Sequence, residues 1–352
     1  MNQQTFSQLC CIALVGYACT SRAAAPCDGA LARATVCEAA NQRALEIMKA
    51  GNLQAIMVVQ DVKTGGLVAF AASDPAKLDV TTALLPLSPV KLMVAASWLD
   101  HQGAPNTNLP ESEKVLTDSI VSGNDNAGRQ IASALREAVG TETVLEDLAR
   151  YGFPPRENFA KTDNKFWAEL APRWRERLVP ATSYHSLGKE TTAKDWEDTL
   201  SIGEVRFVAT ALHLSRFLQA VGNGGVMLAA VAREEEGPGS TIPATRVMSE
   251  SAAVKLQALM RGTVERGTAK SAFPILAGSG WSMGGKTGTG PEPGTTAAGP
   301  GSDGCFAGLT FDPQGKARFT VVTFVKHGGF GGGNAARISA ELALFLSGAR
   351  PK

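Results

Sequence analysis

Three short strings combine residue types that suit acyl transfer. Ser88 stands three positions before Lys91, with Pro89 and Val90 between; Ser122, Gly123 and Asn124 follow; Lys286, Thr287, Gly288 and Thr289 form a cationic, glycine-containing run near the C-terminus. A serine hydroxyl is inert at neutral pH unless something removes its proton as it attacks. A lysine amine stripped of water, with its pKa lowered, can be that base. The second hydroxyl, Ser122, can relay a proton to a leaving amine, and the Asn124 amide can hold a peptide group. Lys286 supplies positive charge, and Thr287 and Thr289 supply hydroxyls, for a carboxylate. Each string alone is short enough to arise by chance, so their joint presence in this order carries the information.

Such chemistry needs elements that bring the strings together. Residues 89–99 are apolar on nearly every side, which predicts a helix buried in the molecular centre, with Ser88 at the N-cap and Pro89 at the first helical position. Ser88 and Lys91 then share one helix face. Further helices are expected over 37–50, 126–138, 142–151 and 208–221, the last stopped by Gly222, Asn223, Gly224 and Gly225. Short apolar strands at 55–60 and 67–72 read as a hairpin, and 283–290, 304–311 and 318–325 have strand character. Asn334 is the expected cap of a terminal helix over 335–346. The charged, proline-containing stretch 154–194 is weakly periodic and receives no assignment. The fold class is therefore α/β (α+β), a central, mostly antiparallel sheet flanked by helices. Its strands come from about 52–80 and 265–350, and a mainly helical subdomain occupies about 81–262.

Several decoys dissolve in context. The Lys63, Thr64, Gly65 run joins two adjacent strands and reads as turn chemistry. Ser186 and Lys189 repeat the first spacing in a polar stretch with a glycine inside it. The run from Gly280 to Thr287 has phosphate-loop spacing, but a phosphate loop must lead into a helix, and Gly288, Gly290, Pro291, Pro293 and Gly294 forbid one. The glycines at 328–333 read as a turn before the last helix, with no dinucleotide-binding unit around them.

Composition narrows the rest. The chain has 352 residues, 34 basic and 33 acidic, so its net charge of +1 argues against nucleic acid as a partner. Residues 9–18 are apolar, too few to span a bilayer, and Ala23, Ala24 and Ala25 offer a cleavage site, so 1–25 reads as a signal peptide and 26–352 as the catalytic domain, with a lipid-modified cut before Cys19 or a retained membrane-associated stub as alternatives. Cys10, Cys11 and Cys19 fall in the leader. Cys27 and Cys37 are close enough to pair in an oxidising compartment, and Cys305 stands alone. No spacing of cysteines or of the four histidines suits a metal. No metal, nucleotide or other cofactor is expected.

The three strings resemble those of the penicillin-binding transpeptidase and serine β-lactamase superfamily. The likeness runs from about 40 to 349 and takes in AIMVVQDVKTGGLVAFAAS, Ile202 and Gly203 with ALHLSRFLQAVGNGGVML, and CFAGLTFD. It implies a β-lactamase/transpeptidase-like fold in which a D-alanyl-D-alanine stem peptide or a β-lactam acylates Ser88, with Lys91 as proton acceptor. Ser122 would shuttle the proton, Asn124 would bind the acyl-side amide, and Lys286, Thr287, Gly288 and Thr289 would bind the substrate carboxylate. The backbone amides of Ser88 and Thr289 would form the oxyanion hole. The implied protein is a stand-alone D,D-transpeptidase or D,D-carboxypeptidase of the periplasm or cell envelope, where other envelope proteins are candidate partners. Two alternatives stay open: a serine β-lactamase, with Glu157 or Glu169 as deacylation base, and a catalytically weak scaffold of the same fold. Only 34 positions separate Ser88 from Ser122, fewer than is usual for the family, so a trimmed helical lobe is expected.

Overall fold

The computed structural model describes residues 27, 36–79, 82–102, 113–156, 183–203, 206–230 and 244–349. The expected leader at 1–25, Glu157, Glu169 and most of the unassigned stretch lie outside them. Helix α1 (Glu38–Ala50) leads into the hairpin β1 (Gln54–Asp61) and β2 (Leu67–Ala72). A helical section follows: α2 (Val90–His101), α3 (Glu113–Ile120), α4 (Asp125–Val139), α5 (Thr141–Arg150), α6 (Ala193–Ile202), α7 (Ala211–Gly222) and α8 (Glu250–Glu265). Short α9 (Phe273–Leu276) precedes β3 (Ser282–Thr289), β4 (Gly304–Phe311), β5 (Ala317–Lys326) and the closing α10 (Asn334–Leu346). No helix among the described residues is long and apolar enough to cross a membrane.

The five strands form one antiparallel sheet in the order β2-β1-β5-β4-β3, which leaves β3 at an edge. Strand periodicity divides the buried residues between two cores. Ile56, Val58, Val322 and Phe324 join the cluster that contains Val90 to Leu99 and the α7 side chains, whereas Met57, Val59, Val321 and Val325 face the cluster containing Ile47 and Ile338. A buried disulfide joins Cys27 to Cys37 at the start of α1, as their spacing allowed. Helices α6 and α8, which the sequence reading did not single out, are capped by Thr192 and Ser249, whose hydroxyls accept from Asp195 N and Ala252 N.

Three boundaries differ from the sequence reading. The helix expected over 208–221 begins at Ala211, because the Thr210 side chain caps it and Phe207 and Val208 pair with His185 and Tyr184. Asn334 is the first residue of α10, not its cap, and its side-chain nitrogen donates to Gly328 O. Ser88 is not an N-cap either. Val90 N, Lys91 N and Leu92 N donate to Leu87 O, Ser88 O and Pro89 O, so Ser88 lies in a tight entry turn and α2 proper starts at Val90.

That turn is held in a costly conformation. Leu87 has φ 58°, a left-handed value that disfavours any side chain. Gly203, with φ 71°, follows α6 and lies so close that a methyl group there would overlap the Leu87 carbonyl. The end of α6 thus braces the turn that presents Ser88. We expect Gly203→Ala to lower unfolding free energy by about 2 kcal/mol or more. Urea denaturation of the two proteins measures it.

Candidate active site

Helix α2 is buried along its length, and Lys91 is buried with it at 2% exposure. An ammonium in such surroundings must be hydrogen-bonded throughout. Lys91 Nζ donates to Ser88 Oγ at 3.2 Å, to Gly123 O at 3.3 Å and to Asp125 Oδ1 at 2.5 Å. Room for its chain comes from α4, where a methyl group on Gly128 would sit 2.8 Å from Lys91 Cε. Burial is the largest influence on the Lys91 amine and pushes its pKa below the ordinary lysine value. The Asp125 bond and charge oppose that shift, and the Arg129 charge adds to it. Ser88 is half-buried.

Strand β3 comes up against the same turn. A methyl group on Gly288 would lie 2.8 Å from both Leu87 Cβ and Pro89 Cδ, so the third string packs directly on the residues flanking Ser88. Lys286, at 1% exposure, donates to Thr287 O at 2.9 Å. Its amine also nears the second string, since a methyl group on Gly123 would be 3.6 Å from Lys286 Nζ. Burial, then the Lys91 charge, push the Lys286 pKa down to about 7, with Asp125 and Cys305 acting the other way. Cys305, across the sheet from Gly288, is buried and its thiol pKa is pushed up by desolvation.

The hydroxyls of β3 have partners and spare protons. Thr287 Oγ1 bonds Thr268 Oγ1 at 2.6 Å, which leaves one of the two protons for a ligand. Thr289 Oγ1 accepts from Gly331 N at 3.1 Å, so its own proton remains available.

The second string is tied to α8. Thr263 Oγ1 donates to Ile120 O at 3.2 Å and Thr268 N donates to Val121 O at 3.2 Å. Ser122 and Asn124 are exposed at this junction. Asn124 Oδ1 accepts from Ala127 N at 3.0 Å and caps α4, so its amide hydrogens are what it can offer a peptide carbonyl. The structure therefore brings Ser88, Lys91, Gly123 and Lys286 around one point, with Thr287, Gly288 and Thr289 on the adjoining strand. The decoys lie elsewhere: Lys63 and Thr64 form the hairpin turn, and Ser186 and Lys189 are exposed, with Lys189 paired to Glu142. The phosphate-loop reading fails because 282–289 is a strand.

Asp125, Gly128 and Thr268 escaped the sequence reading. Asp125 alone left a trace, as an acidic residue in the first turn of a helix directly after the second string. Threonine 268 pairs with a residue 19 positions away, which no local pattern encodes.

Comparison with known proteins bears out the family resemblance. Residues 182–343 match the family model for the penicillin binding protein transpeptidase domain, a span that contains the third string but not the first two. No curated protein sequence matches the chain. Among solved structures it is similar to the apo transpeptidase domain of penicillin-binding protein 3 from Burkholderia pseudomallei, with TM-score 0.68 and 17% identity over 88% of this chain and 94% of that one. A peptidoglycan glycosyltransferase from Burkholderia ambifaria gives TM-score 0.66 and 18% identity over 88% and 95%. The ceftriaxone acyl-enzyme complex of penicillin-binding protein A from Mycobacterium tuberculosis gives 0.63 and 18% over 87% and 77%. At such identities the likeness establishes the fold.

Two buried amines facing one carboxylate have a consequence for stability. Folded Lys286 binds its proton less tightly than the unfolded chain does, so its contribution to stability should rise with pH from about 7 to 10.5 and stay flat below. In urea denaturation, wild type should therefore gain stability over that range relative to Lys286→Met. Parallel pH profiles of the two proteins would contradict the burial effect.

Proposed function

Starting from a chain with the fold of penicillin-binding transpeptidase domains, we propose an exported acyl-serine enzyme. It acts on the D-alanyl-D-alanine end of peptidoglycan stem peptides, as a D,D-transpeptidase or D,D-carboxypeptidase, and is acylated by β-lactams. One observation carries the reading: the Lys91 amine, desolvated by its helix, lies 3.2 Å from the hydroxyl of half-buried Ser88. The Cys27–Cys37 disulfide supports an oxidising compartment, and the apolar 9–18 run supports export.

In this reading Ser88 Oγ attacks the carbonyl of the penultimate D-alanine as its proton passes to the free Lys91 amine. The backbone amides of Ser88 and Thr289 receive the developing oxyanion. Collapse breaks the C–N bond, and Ser122 passes a proton to the departing amine. An ester on Ser88 and free D-alanine result. Water or the amine of a second stem peptide then attacks the ester and returns the Ser88 proton. A β-lactam follows the same first step, but its leaving amine stays tethered. Lys286, Thr287 and Thr289 fix the terminal carboxylate, and Asn124 donates to the acyl-side carbonyl. Gly288 lets that strand press against the Ser88 turn.

Intact-mass measurement after exposure to a penicillin tests the proposal. Wild type should gain one drug mass and lose it slowly, Ser88→Ala should gain none, and Lys91→Ala should react at least ~100-fold more slowly. An unreactive wild type would favour a scaffold of the same fold. Rapid loss of the adduct would favour a β-lactamase.

A further inference from the structure

We infer that Asp125 is a positioning residue that orients the Lys91 amine toward Ser88 and governs whether that amine carries a proton. The inference rests on the reading of Ser88 as nucleophile and Lys91 as its base, and it assigns the control of that base. An ammonium has three hydrogens, and Lys91 has three acceptors: Ser88 Oγ, Gly123 O and Asp125 Oδ1. A free amine has two hydrogens and one lone pair. Gly123 O can only accept, and so can a carboxylate, whereas a serine hydroxyl can donate. When Lys91 loses a proton, its two remaining hydrogens therefore stay with Gly123 and Asp125, and the lone pair is turned to Ser88 Oγ. That is the geometry a general base requires.

The electrostatic setting gives Asp125 its second task. Helix α4 presents Asp125 and Arg129 to Lys91, β3 presents Lys286, and the neighbouring end of α6 presents Ser201, which would touch a methyl group on Gly128. Among these charged groups Asp125 is the one that favours the ammonium. Its side chain is 49% exposed while that of Lys91 is 1% exposed, so the carboxylate links a buried amine to solvent. It stands at the first position of α4, next to the capping Asn124, where the helix N-terminus steadies a negative charge. Gly128, one turn further on, clears the path of the Lys91 chain. The first turn of α4 thus serves a lysine on another helix.

The test is the pH dependence of the acylation rate with a chromogenic β-lactam. Replacing the carboxylate by an amide removes the charge that retains the proton, so in Asp125→Asn the acid limb should move to lower pH by about one unit. Asp125→Glu, which keeps the charge, should hold the limb near its wild-type position. Asp125→Ala should show the Asn shift and a lower plateau, because the orienting acceptor is gone as well. If Asp125→Asn does not fold, Asp125→Ser, which suits a helix start, supplies the uncharged arm. An acid limb at the same pH in all soluble variants, with only stability altered, would overturn the inference and leave the acyl-serine reading standing. A wild type that no β-lactam acylates would overturn that reading and this inference together.

Discussion

Two buried lysine amines lie beside a single carboxylate, Asp125, which bonds one of them, and much of the surrounding structure follows from that constraint. Lys91 and Lys286 are 2% and 1% exposed, and the charge of Lys91 is among the forces that lower the Lys286 pKa. Burying such groups is expensive unless each proton finds an acceptor or is given up. Both solutions are present. Lys91 finds three acceptors, and Lys286, pushed to about 7, is held close to neutrality. A site that lowers the proton affinity of both amines below that of an ordinary lysine is suited to proton transfer.

Close backbone approach is the means by which distant segments reach that pocket. Strand β3 meets the Ser88 turn because residue 288 has no side chain, and α6 reaches the same turn from another side through Gly203. Leu87, between them, accepts a left-handed backbone. Helix α8 fastens the remaining segment, since Thr263 and Thr268 hold Ile120 and Val121 while Thr268 also bonds Thr287. The three strings are therefore braced against one another by hydrogen bonds and contact, which favours a preorganised site.

The elements whose pattern is periodic were legible in the sequence. The hairpin β1-β2, the buried α2 and the strands β3 to β5 follow from apolar runs, glycine stops and an unbroken hydrophobic helix surface. Lys91 announced itself as a charge on that surface. The positioning residues did not. Asp125 has the composition of an ordinary helix first turn, Gly128 is a small residue in a helix, and Thr268 sits in a short loop between helices. Their importance lies in what faces them, Lys91 and Thr287, and facing is a property of tertiary packing. The Ser88 position was also misjudged by the helix-start rule, because the φ of Leu87, set by Gly203 and Gly288, tightens the entry turn beyond what Pro89 alone implies.

Burial lowers the proton affinity of the Lys91 and Lys286 amines. The most direct measurement of that effect is an NMR titration of the lysine side-chain amines in the folded protein, with Lys91→Met and Lys286→Met used to assign the two signals. Both should titrate below the ordinary value of 10.5, with Lys286 near 7. Two signals at the ordinary lysine value would contradict it.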